Sequence, residues 1–263
     1  MHASLHPRDN PLIRKMEGVF TLDEDERQAL ETLPMQVAVI KDDQDIVRMG
    51  DRPSRCCLIL SGFAATYKVT AGGKRQIVSF AIAGDIPDLQ SLHLKTLDTS
   101  IATISTCRVG FIQHEALRDI CLRYPRIGAA FWRETLIDAA IFREWVMNVG
   151  QREAYQRMAH ILCELLVRMR AVGLAEDHVC DLPITQSEFA DALETTGAFS
   201  DVLPRQLAVE EDGTLRSQVQ GYYAGPVRGA APPSPEAAAG PAVPTGQTSE
   251  AGKGNASANG AVR

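Results

Sequence analysis

The side chains that most often bind metals or cofactors are sparse in this chain. The cysteines stand at positions 56, 57, 107, 121, 163 and 180. None of them forms a C-x-x-C pair, and Cys56 and Cys57 are neighbours on a predicted strand, so they point to opposite faces and cannot both ligate one cluster. His93, His114 and His160 are isolated, and a lone histidine is more often a surface or core residue than a ligand. We therefore predict no metal and no cofactor.

Catalytic constellations are also missing from the sequence. Metal-dependent cupin enzymes are β-rolls that present histidines and a carboxylate on adjoining strands, but no histidine lies between Pro11 and Leu92. The chain has no glycine-rich phosphate loop and no G-x-S-x-G elbow. The sequence therefore predicts a protein that is not an enzyme.

Composition and charge restrict the class of protein further. With 45% hydrophobic and 23% charged residues among 263, the chain can bury a core and form one or two domains. No basic segment followed by an apolar one opens the chain, and no apolar run reaches the length of a membrane span. We therefore expect a cytoplasmic protein with no membrane partner. The net charge of −6 implies that any contact with DNA is local.

Four glycines at nearly equal spacing organise the first half of the chain. Gly50, Gly62, Gly73 and Gly84 are separated by short runs of strand character. Because glycine adopts positive φ without steric cost, a turn glycine after each strand lets the chain fold back repeatedly. The pattern predicts an antiparallel β-roll over residues 36–112.

Helical periodicity replaces the strand pattern after residue 114. Residues 126–149 contain no proline and are predicted to form one long helix ended by Gly150, with a second helix at about 152–171. Along the long helix runs an apolar seam of Trp132, Thr135, Ala139, Phe142, Val146 and Val149. Such a seam can pair two helices in a dimer. The alternative is that it packs on the β-roll of its own chain.

These patterns resemble the Crp/Fnr transcription regulators. The residues that carry the resemblance are the glycine ladder, Leu58-Ile59-Leu60-Ser61-Gly62 and Gly84-Asp85-Ile86. The resemblance implies an α+β fold with an N-terminal antiparallel β-roll, a long dimerisation helix, a small helical C-terminal domain and a disordered tail. The implied regions are a cyclic-nucleotide-binding-like sensor domain at 11–125, the dimerisation helix at 126–150, a partial winged helix-turn-helix at 151–220 and the tail at 221–263.

The helix-turn-helix begins near residue 185 and then departs from the family pattern. Thr185 can cap a helix whose third residue is Glu188, a capping box. The resemblance assigns DNA contacts to Thr185, Gln186, Ser187 and Arg205. However, Pro204 would break the interior of the recognition helix, and acidic residues at 210–212 would repel DNA. We expect weak DNA binding with little sequence preference.

The predicted nucleotide pocket lacks its usual cation. In the family, a Gly-Glu turn holds the ribose and an arginine beside a serine or threonine clamps the cyclic phosphate. In this chain Gly84-Asp85 occupies the turn, and Leu97-Asp98-Thr99-Ser100 stands where the arginine is expected. The pocket residues that the resemblance implies are Gly84, Asp85, Asp88, Leu89, Asp98 and Thr99. Because Asp85 and Asp98 would repel a phosphate, the pocket is vacant or takes another, unidentified effector; equally, the roll is retained only as a scaffold.

The C-terminal segment changes composition abruptly. From residue 224 it contains no aromatic residue and a surplus of alanine, glycine and proline. Such a segment cannot bury enough apolar surface to offset its ordering entropy, so disorder is predicted. A shifted reading frame in a GC-rich gene would produce the same change.

Two functional hypotheses remain. The first is a homodimeric DNA-binding regulator of the Crp/Fnr type. The second is a dimeric sensor or interaction module that has lost sequence-specific DNA binding. They differ only in the residues after Leu193.

Overall fold

The computed structural model describes residues 10–175 and 180–193. Arg205, the acidic segment 210–212 and the tail lie outside these residues, and the predictions about them stay predictions. In chain order the described elements are α1 (Pro11–Val19), α2 (Glu24–Glu31), β1 (Gln36–Ile40), β2 (Asp45–Val47), β3 (Arg55–Ser61), β4 (Ala64–Val69), β5 (Arg75–Ala81), a 3₁₀ turn (Leu89–Leu92), β6 (Ser100–Thr103), β7 (Cys107–Gln113), α3 (His114–Arg123), α4 (Pro125–Gln151), α5 (Ala154–Ala171) and α6 (Gln186–Leu193).

The strands form two antiparallel sheets. The first has the order β1-β7-β3 and the second the order β2-β6-β4-β5. Side chains alternate between the two faces of a strand, so Cys57 and Ile59 pack between the sheets whereas Cys56 packs against the helices outside. The prediction that Cys56 and Cys57 point to opposite faces is thus confirmed, as is the predicted β-roll.

The ladder glycines lie at turns whose backbone conformation favours glycine. Gly50, Gly62, Gly73 and Gly84 have φ values of 92°, 90°, 80° and 97°. A Cβ on Gly62 would lie 2.6 Å from the carbonyl oxygen of Thr106, and one on Gly84 would lie 2.7 Å from that of Pro11. Gly62 and Gly84 are therefore favoured both by their backbone conformation and by the close approach of a neighbouring segment, whereas Gly50 and Gly73 are favoured by their positive φ alone.

The long helix α4 is confirmed, but its end is not where the sequence predicts it. It continues through Gly150 to Gln151, and extended backbone at Arg152 and Glu153 then separates it from α5. Glycine weakens a helix interior by only about 1 kcal/mol, so a single Gly150 does not end the helix. The helix therefore ends two residues beyond the predicted last residue, Val149.

One face of α4 packs with α5 against the second sheet. Ile141 and Trp145 of α4 join Phe80 of β5 and Ile161 and Leu165 of α5 in a single buried core. The described residues therefore have the α+β architecture that the sequence predicts. No helix among them is long and apolar enough to cross a membrane.

Candidate ligand cavity, helix seam and DNA-facing helix

A cavity of about 280 Å³ lies where β4, β5 and the segment after β5 meet α4 and α5. Four of the six predicted pocket residues line it: Asp85, Leu89, Asp98 and Thr99. Gly84 and Asp88 lie nearby without lining it. Four of the predicted residues thus share one cavity, and their assignment to a ligand stays a prediction.

Asp85 is a buried carboxylate at the centre of an ion-pair network. Its Oδ1 lies 2.8 Å from Nζ of Lys15, and its Oδ2 accepts hydrogen bonds from Nη2 of Arg168 at 2.6 Å and from the backbone N–H of Ile82 at 2.7 Å. Burial alone would raise the Asp85 pKa, but the two cations outweigh burial and hold the pKa below its ordinary value. The sequence did not reveal that Asp85 is paired with Lys15 and Arg168. Because the same two cations also contact Glu134 and Glu164, the network still holds more carboxylates than cations, and the expected repulsion of a phosphate stays a prediction.

Asp88 has a structural position beneath the cavity. It is fully buried, and its Oδ1 accepts a hydrogen bond of 2.8 Å from the backbone N–H of Cys57. Burial raises the Asp88 pKa to about 6. Its carboxylate therefore fixes the segment after β5 to strand β3 rather than facing a ligand.

Asp98 and Thr99 form the opposite rim of the cavity. The Asp98 carboxylate is exposed and lies 3.2 Å from Nζ of Lys68. Thr99 is only 9% exposed, and its Oγ1 has no hydrogen-bond partner within the part of the chain that the structure describes. A buried hydroxyl without a partner is costly, so the Thr99 Oγ1 is a candidate contact for a bound molecule.

Sequence reasoning missed three charged residues beside the cavity. Arg168 of α5 donates to Glu164 at 3.0 Å as well as to Asp85, and Nε1 of Trp145 donates to the same Glu164 at 2.6 Å. Lys15 of α1 also lies 2.5 Å from Glu134 of α4. The third, Asp138 of α4, is half-buried on the cavity wall. The signal available was a charged residue within an apolar stretch, as in Ile137-Asp138-Ala139-Ala140-Ile141.

The predicted seam on α4 faces away from the core. Trp132 is 70% exposed, Phe142 is 41% exposed and Val146 is 74% exposed, Thr135 is exposed as well, and Ala139 and Val149 are half-buried. The face that packs on the roll is a different one, formed by Phe131, Ile137, Ile141 and Trp145. Thr135, Ala139 and Phe142 of the seam also line the cavity.

The start of α6 faces solvent while its end is buried. Thr185 and Ser187 are exposed, whereas Ala192 and Leu193 are fully buried. The predicted capping box is confirmed: the backbone N–H of Thr185 donates to Oε2 of Glu188 at 2.6 Å, and the N–H of Glu188 donates to Oγ1 of Thr185 at 3.3 Å. Gln186 begins the helix, and Arg205 lies outside the described residues.

Helix α6 is attached to the second sheet rather than being independent of it. Asp191 accepts a hydrogen bond of 2.7 Å from Nε of Arg75 on β5. The rings of Phe189 and Phe80 pack edge to face with their centroids 6.3 Å apart. The rings of Phe80 and Trp145 also pack edge to face, with centroids 6.1 Å apart. Since Phe80 lines the cavity, one aromatic side chain joins the cavity wall, α4 and α6.

Fold and cavity together define an antiparallel β-roll packed against a long helix. A family model of the cyclic nucleotide-binding domain matches residues 38–124. The chain is 24% identical over 178 residues to the transcriptional activator protein FnrL of Cereibacter sphaeroides, covering 65% of this chain and 69% of that one. It is also 24% identical over 156 residues to the fumarate and nitrate reduction regulatory protein of Vibrio cholerae, covering 59% of this chain and 62% of that one.

Among solved structures, FixK2 from Bradyrhizobium japonicum has a similar fold, with a TM-score of 0.53 at 18% identity over 62% of this chain and 78% of that one. The c-di-GMP responsive regulator CLP of Xanthomonas campestris has a TM-score of 0.50 at 13% identity, covering 76% and 92%. Residues 38–124 thus match the cyclic nucleotide-binding domain, and the chain is similar to Fnr-type transcription regulators, in agreement with the resemblance seen in the sequence.

Proposed function

We propose that this chain is a homodimeric, DNA-binding transcription regulator whose sensor roll lacks the usual clamp for a cyclic phosphate. The observation that carries the proposal is the exposed apolar seam of α4, in which Thr135, Ala139 and Phe142 also line the cavity. The relatives that the chain matches are transcriptional regulators rather than enzymes. A regulator acting on DNA would work in the cytoplasm.

The proposal that the clamp is missing is based on the contacts that the cations beside the cavity already make. Arg168 is the cation on the cavity wall, and its guanidinium donates to Asp85 and Glu164. A cyclic phosphate would have to compete with these two buried carboxylates. Arg75, which could have replaced the clamp, instead pairs with Asp191 of α6.

Calorimetry with cyclic AMP and cyclic GMP tests this part of the proposal. One lost charge-assisted clamp weakens binding by about 1.5–3 kcal/mol, so we expect no binding at micromolar nucleotide. Micromolar binding of either nucleotide would contradict the proposal.

The DNA contact is proposed for the solvent-facing start of α6. Thr185, Gln186 and Ser187 lie at a helix N-terminus, where side chains and backbone N–H groups can contact phosphate. The Glu188 carboxylate already accepts from the Thr185 N–H, so part of this capacity is used within the chain. Base contacts would fall to Arg205.

A gel-shift experiment with the full chain and genomic fragments distinguishes the two functional hypotheses. We expect weak retardation that Ser187→Glu reduces by adding a negative charge at the proposed contact. The matched control is Ser54→Glu, which places the same charge on an exposed residue just before β3. No retardation at any protein concentration would favour the alternative, a dimeric sensor or interaction module without DNA binding.

A further inference from the structure

We propose that the cavity between the roll, α4 and α5 binds a small organic cation, an ammonium group carried on an apolar body. The proposal rests on the proposed sensor function and names the ligand class of that same site. It replaces the anionic ligand that a cyclic nucleotide-binding domain would suggest with one of opposite charge.

The charges around the cavity favour a cation. Asp85 and Asp138 line it from the roll and from α4, and Glu134 and Glu164 lie directly behind them in the same network. The opposing charges are Lys15 of α1 and Arg168 of α5. The carboxylates therefore exceed the cations by two when all are ionised, and exposed Asp98 adds a further carboxylate at the rim, beside Lys68.

Asp138 is the carboxylate best placed to meet a ligand. Whereas Asp85 lies against both Lys15 and Arg168, Asp138 is half-buried on the wall of the cavity itself. Burial raises its pKa to about 6, with Lys15 and Arg168 lowering it and Asp85 and Glu134 raising it. A bound ammonium group would add positive charge beside a carboxylate that shares Lys15 and Arg168 with its acidic neighbours.

A second, independent feature points to a ligand with hydrogen-bond donors. Thr99 is one of the residues that line the same cavity, and its buried Oγ1 has no hydrogen-bond partner among the described residues. A hydroxyl oxygen can accept from an ammonium N–H, which would satisfy it. The acceptor at Thr99 and the carboxylate at Asp138 thus offer two contacts to one positively charged group.

The remaining walls fit an apolar body of modest size. Phe80, Ile86, Ile141 and Phe142 line the cavity, and aromatic faces attract cations. A volume of about 280 Å³ is at the lower end of small-molecule sites. The cavity therefore suits a molecule of the size of an arylalkylamine rather than one with several rings and a phosphate.

Calorimetry on the full chain at pH 7.5 tests the proposal with three probes of matched shape: 2-phenylethylammonium, 2-phenylethanol and 3-phenylpropanoate. We expect the ammonium compound to bind at least tenfold more tightly than the alcohol, and the carboxylate not to bind. Asp138→Asn should weaken binding of the ammonium probe by about tenfold or more, the ratio expected for one charge-assisted hydrogen bond. Thr99→Val, which removes only the hydroxyl oxygen, should weaken it by a few-fold.

The control variant is Asp119→Asn on the exposed face of α3, which pairs with Arg123 and should leave probe binding unchanged. Circular dichroism confirms that each variant is folded. Equal binding of the three probes, tighter binding of the carboxylate, or no binding of the ammonium probe at millimolar concentration would overturn the proposal. Retained DNA retardation alongside such a result would show that the ligand class is wrong while the regulator function stands.

Discussion

The carboxylate of Asp85 joins three parts of the chain, because its partners Lys15 and Arg168 lie on α1 and α5 while Asp85 itself follows β5. Removing one partner of a buried ion pair leaves uncompensated charge. We predict that Asp85→Asn lowers the free energy of unfolding by about 3–5 kcal/mol, measured by urea denaturation at pH 7.5. The exposed Asp119→Asn should change it by less than about 0.5 kcal/mol. Equal effects of the two variants would contradict the network.

Replacing Asp138 should raise the free energy of unfolding, whereas replacing Asp85 should lower it. Its pKa is raised by burial from its ordinary value of 3.8 to about 6, so the folded protein holds this proton more tightly and stability falls as pH rises through that window. We predict that Asp138→Asn raises the free energy of unfolding at pH 7.5 by about 1–2 kcal/mol, less than full burial would give because the side chain is half-buried.

The test measures the free energy of unfolding of Asp138→Asn and of the wild type by urea denaturation from pH 4 to 7.5. The quantity of interest is the difference between the two proteins at each pH. It cancels the opposing contribution of buried His160, whose pKa burial lowers to about 4 and which destabilises the fold as pH falls. The variant should gain stability over the wild type as pH rises and match it near pH 4. A constant difference across this range would show that Asp138 does not titrate in the folded protein.

At the scale of single residues, the sequence predicts which residues lie near the cavity but not which ion pairs they form. Asp85, Asp98 and Thr99 are found because the family resemblance places the pocket at the turn of Gly84 and just before the strand that begins at Ser100, which are matches of short local sequence. Arg168 lies 83 residues from Asp85 along the chain. No local pattern reports a contact at that separation, so the ion pair between Asp85 and Arg168 becomes visible only in the folded structure.

At the scale of elements, α4 has one buried face and one exposed apolar face. Trp132 and Val146 are each at least 70% exposed, and an apolar stripe of this kind marks an interaction surface. We predict that replacing Phe142 and Val146 with glutamate converts dimers to monomers, measured by light scattering. Arg133→Glu, on an exposed position beside the stripe, should leave the mass unchanged. An unchanged mass for the double variant would show that the stripe does not pair copies of the chain.

Element positions were predictable because each rests on short-range chemistry. The turn glycines need positive φ, Pro125 begins α4, and the Thr185–Glu188 capping box begins α6. The attachment of α6 to β5 was not predictable, because it depends on Phe189 meeting Phe80 and Asp191 meeting Arg75 across more than a hundred residues. Periodicity shows which face of a helix is apolar and not which element it meets.

At the scale of the whole molecule, the solvent-facing start of α6 must be combined with a recognition helix for sequence-selective binding. Phosphate contacts near Thr185 position a protein on DNA, whereas contacts with base edges specify a sequence. Pro204 removes a backbone donor beside Arg205, and the acidic residues at 210–212 add repulsion. We therefore predict that the full chain binds DNA with a dissociation constant of about 10⁻⁴ to 10⁻⁶ M, the range of non-specific binding.

A chimera with residues after Leu193 replaced by a complete helix-turn-helix should bind its operator far more tightly than a scrambled fragment, because the dimer seam and α6 are retained. Fluorescence anisotropy on matched operator and scrambled duplexes at one salt concentration gives, for the chimera and for the unmodified chain, the ratio of the affinities for the two duplexes. The unmodified chain should show a ratio near one. Tight, selective binding by the unmodified chain that Arg205→Ala abolishes would show instead that the reading helix is intact, since a base-contacting arginine is worth about 1–3 kcal/mol of discrimination.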